Sequence, residues 1–302
     1  MKAKFIERAD RIAADNVSSA QQILKDMLDL LTEVSAESHT SLGLLQDVKS
    51  LSTAISTSQS QMSALSNVCK FILSASSAMK PDEVIAYLKD LRDKVEAIPS
   101  SVAFHASRHI VDGRAYATIS QSEFVLKAFE KAFSENKRAT VFVMESRPLY
   151  EGRQTAKALS KMGHRPILVS DASVGLFVEE IDAALVGADS ILADGSLVNK
   201  VGSYPLALSC ASAGKNFYAI TSILKYDSRK RTTDFINKEE SPDEIYANPE
   251  FSEKIHTVEV RNFYFDKVNP QLVTALITEV GDISPLSGLD GFDSRMQEVY
   301  SP

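Results

Sequence analysis

The chain has 302 residues, which is enough for one large domain or two ordinary ones. Its hydrophobic content of 44% and charged content of 24% are those of a globular protein rather than a disordered or fibrous one. A net charge of −7 argues against DNA or RNA binding as the main task, because nucleic-acid phosphates repel an acidic surface. We therefore expect a folded protein that has no direct nucleic-acid partner.

The sequence also predicts no membrane partner. Every apolar run is shorter than the roughly 18 residues that suggest a membrane span, and the first residues, MKAKFIERADRIAADN, carry charges where a signal peptide has an apolar core. Cys69 and Cys210 are too few for a disulfide framework or a four-thiolate zinc site. We interpret both as small buried hydrophobic residues and expect a cytoplasmic protein.

The chain up to residue 110 is predicted to be helical. In residues 18–34, Ile23, Met27 and Leu30 recur at three- and four-residue intervals, which places them on one apolar stripe. The same period continues in SLGLLQDVKSLSTAI, MSALSNVCKFILSA and PDEVIAYLKDLRDKVEAI. We therefore predict an N-terminal helical domain over residues 1–110.

After Gly113, short β-rich runs alternate with helical segments. The predicted strands are residues 115–120, 139–145, 165–171, 183–189 and 216–221, and a hairpin-like turn follows the fourth. This alternation indicates right-handed βαβ units and a parallel, doubly wound sheet. The later segment VNPQLVTALITEVG, residues 268–281, is predicted to be an amphipathic helix on that sheet. The expected fold class is α/β, with a Rossmann-like domain in residues 111–302 that carries a ligand pocket and an oligomerisation surface.

The residues that follow the predicted strands are candidate ligand groups, because open parallel sheets bind ligands at the carboxyl ends of their strands. They are Ser120, Gln121, Ser122, Glu145, Ser146, Arg147, Ser170, Asp171, Asp189, Thr221 and Ser222. Hydroxyls and free N–H groups at a helix start suit a phosphate, and Arg147 would add a bidentate cation. Asp189 could accept from sugar hydroxyls, and the turn that follows would bring Asn199 and the charge of Lys200 to the same rim. Together these side chains suit a phosphorylated, polyhydroxylated ligand.

Each candidate also has a structural alternative. Ser120 or Ser122 could be only a helix N-cap, and Arg147 could pair with a neighbouring glutamate at the surface. Asp189 could cap the turn that follows it, and Asn199 suits a left-handed turn position. The residues alone specify no reaction.

Metal and cofactor motifs are absent from the sequence. His105 and His109 have i,i+4 spacing, but no third ligand lies nearby in the sequence, so we expect no metal site. The chain has no GxGxxG, GxxxxGK[ST] or GxSxG motif. We therefore expect no cofactor, and a nicotinamide oxidoreductase is excluded.

Several long segments resemble one known family. They are VMESRPLYEGRQTAKALSKMG, VSDASVGLF, LVGADSILADGSLVNKVGSYPLALSCASAGKNFYAIT and VNPQLVTALITEVG. Over residues 108–285 the chain resembles the regulatory (alpha, beta, delta) subunits of translation initiation factor 2B and their archaeal relatives. Two sugar-phosphate isomerases share that fold, 5-methylthioribose-1-phosphate isomerase and ribose-1,5-bisphosphate isomerase. The resemblance implies a helical domain followed by a Rossmann-like domain.

The same resemblance bears on catalysis. The isomerases have a cysteine after the first strand and an aspartate in the GAD motif as an acid/base pair; Asp189 matches the aspartate, but Ser120 stands at the cysteine position. A thiol, with a pKa of about 8.5, can be tuned to move a proton near neutral pH, whereas a serine hydroxyl needs a dedicated base. The isomerases' phosphate-contacting Arg-Gly-Ala segment corresponds to VSSA, residues 17–20, and a second arginine corresponds to Gln59 or Ser60.

The resemblance therefore implies a non-catalytic protein like the regulatory subunits of initiation factor 2B. We expect it to bind initiation factor 2 through the alpha subunit of that factor and to form a homodimer or larger oligomer. We also expect a site for a sugar phosphate or nucleotide, made of Ser120, Gln121, Ser122, Arg147, Asp189, Asn199 and Lys200. The alternative is an aldose–ketose isomerase acting on ribose 1,5-bisphosphate or a related 1-phosphosugar, with Asp189 and Ser120 as its catalytic groups.

Overall fold

The computed structural model describes residues 2–15, 20–37, 41–58, 62–246, 259–286 and 291–302. Residues 17–19 of the VSSA segment, Gln59 and Ser60 lie outside this described part. The chain divides into two compact units. One comprises Met1–Ile98, Ile223–Tyr226 and Asp290–Pro302; the other comprises Pro99–Ser222 and Asp227–Leu289. The domain boundary expected after residue 110 stays a prediction. No helix in the described ranges is long and apolar enough to span a membrane.

The helices and strands are numbered in chain order. The helices are α1 (Ala3–Ala14), α2 (Ala20–Glu37), α3 (Ser41–Ser58), α4 (Ser63–Ala78), α5 (Pro81–Ala106), α6 (Glu123–Ser134), α7 (Glu151–Met162), α8 (Val174–Phe177), α9 (Ser203–Ser212), α10 (Asp243–Tyr246) and α11 (Phe292–Tyr300). The strands are β1 (Ala115–Thr118), β2 (Thr140–Met144), β3 (Arg165–Val169), β4 (Ala183–Val186), β5 (Ser190–Leu192), β6 (Leu197–Lys200), β7 (Asn216–Ile220), β8 (Tyr226–Asp227), β9 (Phe265–Val268), β10 (Ala275–Thr278) and β11 (Gly281–Ile283).

The first unit is built from apolar helix faces, as the sequence period predicts. On α2, the side chains of Ile23, Met27 and Leu30 are all buried, which confirms the predicted stripe. The last helix joins the same unit, because the Tyr87 hydroxyl on α5 donates a 2.6 Å hydrogen bond to the carbonyl oxygen of Tyr300 on α11.

The second unit contains a seven-stranded sheet with the strand order β11-β10-β7-β4-β1-β2-β3. Its neighbours are parallel except for the β10–β11 pair, which is antiparallel. If the six parallel strands β1, β2, β3, β4, β7 and β10 are renumbered 1 to 6, their order in the sheet is 3-2-1-4-5-6. This is the order of doubly wound sheets, so the predicted fold class is confirmed. The order reverses between β1 and β4, which makes the carboxyl ends of these two strands the expected place for a ligand.

A second, smaller sheet stands beyond β4 and was not predicted. Strands β5 and β6 form an antiparallel hairpin whose turn contains Gly195 with φ +82°, which confirms the predicted hairpin-like turn. Strand β6 also pairs with β9, placing Asn199 opposite Asp266 and Lys200 opposite Phe265. This pairing fixes the backbone of two candidate ligand residues.

The predicted helix at 268–281 is wrong. Residues 270–272 form a single 3₁₀ turn, and the segment then enters β10 and turns into β11. Because short apolar runs fit both a strand and a buried helix, local periodicity could not decide between them. Pairing with β7 makes this segment a strand: Leu276 and Ile277 lie opposite Ala219 and Ile220 and are fully buried. The predicted helix after the third strand is also reduced, to a 3₁₀ turn followed by the four-residue α8.

Candidate functional site

Hydrogen bonds join the segments that follow β1, β2 and β3. Ser120, with φ +65°, donates its backbone N–H to the Ser146 hydroxyl at 2.7 Å. The Ser146 hydroxyl in turn donates to the carbonyl oxygen of Met144 at 3.0 Å. The carboxylate of Asp171 accepts from the backbone N–H groups of Ser146 at 2.8 Å and Arg147 at 2.7 Å. The carboxyl edge is thus fixed by polar contacts that involve two residues in the left-handed conformation, Ser120 and Ser146.

The segments after β1 and β4 meet at Ser122 and Gly187. A Cβ atom placed on Gly187 would lie 2.8 Å from both Cβ and Oγ of Ser122 and 3.8 Å from Oδ1 of Asn199. Only a glycine therefore fits between these side chains. The Ser122 hydroxyl also accepts from the Val125 N–H at 3.5 Å, so the N-cap alternative is correct for Ser122. These contacts lie where the strand order reverses.

Asn199 is buried within β6 rather than in a left-handed turn, so the turn alternative is wrong for this residue. Its side-chain amide donates to the Ser203 hydroxyl at 2.8 Å. The carboxylate of Asp266 accepts from the N–H groups of Gly202 at 2.7 Å and Tyr204 at 3.0 Å. The start of α9 therefore already has an anionic partner within the chain.

Lys200 ends β6, and its side chain is only 7% exposed. The structure corrects the prediction that it offers a charge from a turn, because its Nζ lies 2.6 Å from Oε1 of Glu151. The same ammonium lies 4.7 Å from the centre of the Tyr264 ring. The Tyr264 hydroxyl donates to Glu244 at 2.6 Å, and burial together with this carboxylate raises the pKa of Tyr264.

Arg147 remains exposed at the rim of the carboxyl edge. Its guanidinium donates to the Tyr150 hydroxyl and, at 3.5 Å, to the carbonyl oxygen of Ile245. The alternative that Arg147 pairs with a neighbouring glutamate is wrong. Glu145 forms an ion pair with Arg153 at 3.2 Å, and Glu151 forms one with Lys200. Within the described residues Arg147 therefore makes no ion pair and keeps an uncompensated positive charge.

Gln121 and Asp189 are exposed at the same edge. The backbone N–H of Asp189 donates to the carbonyl oxygen of Val198 at 2.8 Å, which holds the residue before β5 against β6. The Ser120 hydroxyl makes no hydrogen bond in the part of the chain that the structure describes. The ligand roles of the seven predicted residues stay predictions.

The sequence interpretation missed Glu151 and Tyr264, which surround Lys200. Glu151 looked like an ordinary acidic residue in the first turn of a helix, and Tyr264 lies far along the chain from β6. No local pattern could have linked them.

The described residues contain no cluster of metal ligands and no exposed cysteine. No group of three histidine, cysteine, aspartate or glutamate side chains there could hold a metal ion. Cys69 and Cys210 are buried, as predicted, and burial raises the pKa of each thiol to about 12. Both are therefore protonated near neutral pH, so neither thiol is a ready nucleophile or proton carrier.

Comparisons with known proteins agree on a family. The model of the Initiation factor 2 subunit family matches residues 16–285. The ribose 1,5-bisphosphate isomerase of Methanocaldococcus jannaschii is 34% identical over 225 residues, covering 74% of this chain and 72% of that protein. A putative translation initiation factor eIF-2B subunit 2-like protein of Pyrococcus horikoshii is 32% identical over 224 residues, covering 74% and 76%. The crystal structure of the P. horikoshii OT3 translation initiation factor eIF-2B has a TM-score of 0.77 and 26% identity, covering 94% of this chain and 98% of the other.

Proposed function

Because this chain belongs to the Initiation factor 2 subunit family, we propose that the carboxyl edge of its sheet binds a phosphorylated sugar. The observation that carries the proposal is the close approach of Ser122 to Gly187, where the strand order reverses. A Cβ atom added to Gly187 would lie 2.8 Å from the Ser122 side chain. Crevices at such reversals are the usual ligand sites of doubly wound sheets.

The groups at this edge suit the two parts of such a ligand. Arg147 has an uncompensated guanidinium, and the N-terminal end of α6, where the helix dipole is positive, lies at the same edge; both favour a phosphate. The exposed carboxylate of Asp189 suits sugar hydroxyls, which are hydrogen-bond donors. The charge of Lys200 is balanced by Glu151, so we assign the main phosphate attraction to Arg147.

Isomerisation of a 1-phosphorylated ribose is the activity that the relatives favour, since one named ribose 1,5-bisphosphate isomerase is 34% identical to this chain. An aldose–ketose isomerisation moves a proton between adjacent carbon atoms and needs an acid/base group next to both. In this chain Asp189 would take that role, and the Ser120 hydroxyl would face it as the second proton carrier.

A non-catalytic role is the second candidate, and Ser120 is the observation that favours it. Its hydroxyl has no hydrogen bond to a base within the described residues, so nothing there activates it for proton transfer. On this alternative the chain resembles the relative named eIF-2B subunit 2-like. It would bind initiation factor 2 through the alpha subunit of that factor, hold the sugar phosphate without converting it, and form a homodimer or larger oligomer.

One experiment separates these candidates. The purified chain is incubated with ribose 1,5-bisphosphate, ketose formation is followed by NMR, and binding is followed by thermal shift. Product formation that Asp189→Asn abolishes supports the isomerase, whereas a thermal shift without product supports the binding protein. Arg147→Gln should weaken binding in both cases, and Arg114→Gln, an exposed arginine paired with Asp182, is the matched control. No thermal shift at millimolar ligand would overturn the sugar-phosphate proposal; co-purification of initiation factor 2 subunits tests the partner.

A further inference from the structure

We propose that a cavity beside the C-terminal end of α5 is a separate binding site for a phosphate group. The cavity has a volume of about 250 Å³ and is lined by His105, Arg108, His109 and Asp282. It shares no residue with the carboxyl-edge site, so the inference does not depend on the proposed sugar chemistry.

One side of this cavity is rigidly built around His109. The Nε2 atom of His109 lies 2.8 Å from Oδ2 of Asp282, which joins the 3₁₀ turn after α5 to the edge strand β11. The imidazole ring also packs against Tyr218, with 4.7 Å between the ring centres. The carbonyl oxygen of His109 accepts from the Tyr116 hydroxyl at 3.1 Å. Side chain and backbone are therefore both held in place.

The other side contains donors that the protein does not use. His105 lies in the last turn of α5, and Gly281 leaves space beside it, since a Cβ there would lie 4.0 Å from Cε1 of His105. The His105 ring packs edge-on against Phe104 at 5.3 Å. Neither His105 nor the guanidinium of Arg108 makes a hydrogen bond or ion pair within the described residues.

This combination favours an oxyanion over a metal ion. Arg108 presents a planar fork of N–H donors, and the imidazole of His105 adds another donor, which matches the oxygen atoms of a phosphate group. A cation would need free acceptors, but the Asp282 carboxylate is engaged by His109. The cavity lining also contains no group of three metal-binding side chains of suitable geometry in the described part of the chain. Arg108 is therefore the main anchor, and Asp282 is the group that limits affinity by repelling an anion.

The test is a titration of the full chain with inorganic phosphate at constant ionic strength, following the ¹H–¹⁵N signals of the histidine rings. In the wild type we expect saturable shifts of the His105 and His109 signals. Arg108→Gln should weaken this phosphate binding about ten-fold or more, because it removes a charge-assisted hydrogen-bond donor. Asp282→Asn should strengthen it by about threefold, since it removes the only carboxylate in the lining.

Two further variants separate this site from others. Arg114→Gln removes an exposed arginine that is paired with Asp182, and should leave phosphate affinity unchanged. Arg147→Gln removes the cation of the carboxyl edge and should also leave the histidine shifts unchanged. The proposal is overturned if Arg108→Gln binds phosphate as tightly as the wild type, or if Arg147→Gln abolishes the histidine response. Failure of the sugar-phosphate proposal would instead leave this titration unaffected.

Discussion

Glu151 Oε1 lies 2.6 Å from Lys200 Nζ, and this contact joins the first residue of α7 to the last residue of β6. Both side chains are mostly shielded from water, with 23% of the glutamate and 7% of the lysine side chain exposed. Replacing only one member of a shielded ion pair lowers stability, because the remaining charge has no partner and is not fully solvated by water. The pair therefore holds a helix start against the hairpin that carries Asn199.

Lys200→Met should lower the free energy of unfolding by about 3 kcal/mol, because it leaves the Glu151 carboxylate uncompensated. The double variant Lys200→Met/Glu151→Gln should recover about half of that loss, since no charge remains unpaired. Urea denaturation measures both. The matched control is Lys127→Met, which breaks an exposed pair with Glu130 and should cost less than about 0.5 kcal/mol. If the loss of stability in the double variant equals the sum of the losses in Lys200→Met and Glu151→Gln, the two side chains are not coupled.

The sequence predicted the fold well wherever a strand is a short apolar run that ends in polar residues. Strands β1, β2 and β4 are of this kind, and each was found within a few residues of its bounds. Strand β10 was missed because LVTALIT fits a helical apolar face as well as a strand. Its pairing with β7, more than fifty residues earlier, decided the outcome. The second sheet was missed for the same reason, since β9 pairs with β6 across a long separation.

The candidate site was predictable only from the strand-end rule, which places ligands at the carboxyl ends of parallel strands. That rule found Ser120, Arg147 and Asp171, and the structure places hydrogen bonds among the segments that carry them. It could not foresee that Lys200 is neutralised by Glu151, because that pairing depends on how α7 packs against β6. Charge counted along a sequence is therefore a poor guide to charge available to a ligand.

Gly187→Ala should lower the free energy of unfolding by about 1–3 kcal/mol, because the added methyl group would lie 2.8 Å from the Ser122 side chain. Ser122→Gly in the same chain should restore most of the loss, since it removes both atoms that clash and a glycine is an acceptable N-cap. Thermal denaturation of the single and double variants measures this. Gly175→Ala is the control, because nothing lies within 4 Å of its added Cβ. Equal losses at positions 187 and 175 would show that the Ser122 contact is unimportant.

His164 should make the protein less stable in mild acid. Its Nδ1 accepts from the Ala139 N–H at 3.2 Å, so the proton of the neutral ring is on Nε2, which donates to the Phe129 carbonyl oxygen at 2.9 Å. Burial lowers the pKa of His164 from its ordinary value of 6.5. Below that value the unfolded chain binds a proton that the folded chain resists, so the free energy of unfolding falls as the pH decreases.

The measurement is urea denaturation at several values between about pH 7.5 and pH 5. His164→Gln keeps an acceptor and a donor but cannot titrate, so its stability should depend less on pH than that of the wild type. Gly175→Ala, which adds a methyl group with nothing within 4 Å and no titratable group, should keep the wild-type slope. A slope that is unchanged in His164→Gln would assign the acid sensitivity to other groups.

Ser120→Cys tests the chemistry of the carboxyl edge most directly. If Asp189 faces a bound 1-phosphosugar, a thiol at position 120 supplies a second group that can move a proton near neutral pH, which the hydroxyl cannot do without a base. We expect the rate of ketose formation from ribose 1,5-bisphosphate to rise by about 10²-fold, with a pH dependence that follows thiol ionisation. Ser134→Cys is the control, because it adds an exposed thiol at the C-terminal end of α6, away from the carboxyl edge. Unchanged turnover in Ser120→Cys, together with undiminished ligand binding, would show that position 120 is not next to the reacting carbon atoms. If neither the wild type nor Ser120→Cys forms ketose while both bind the ligand, the binding-only alternative is supported.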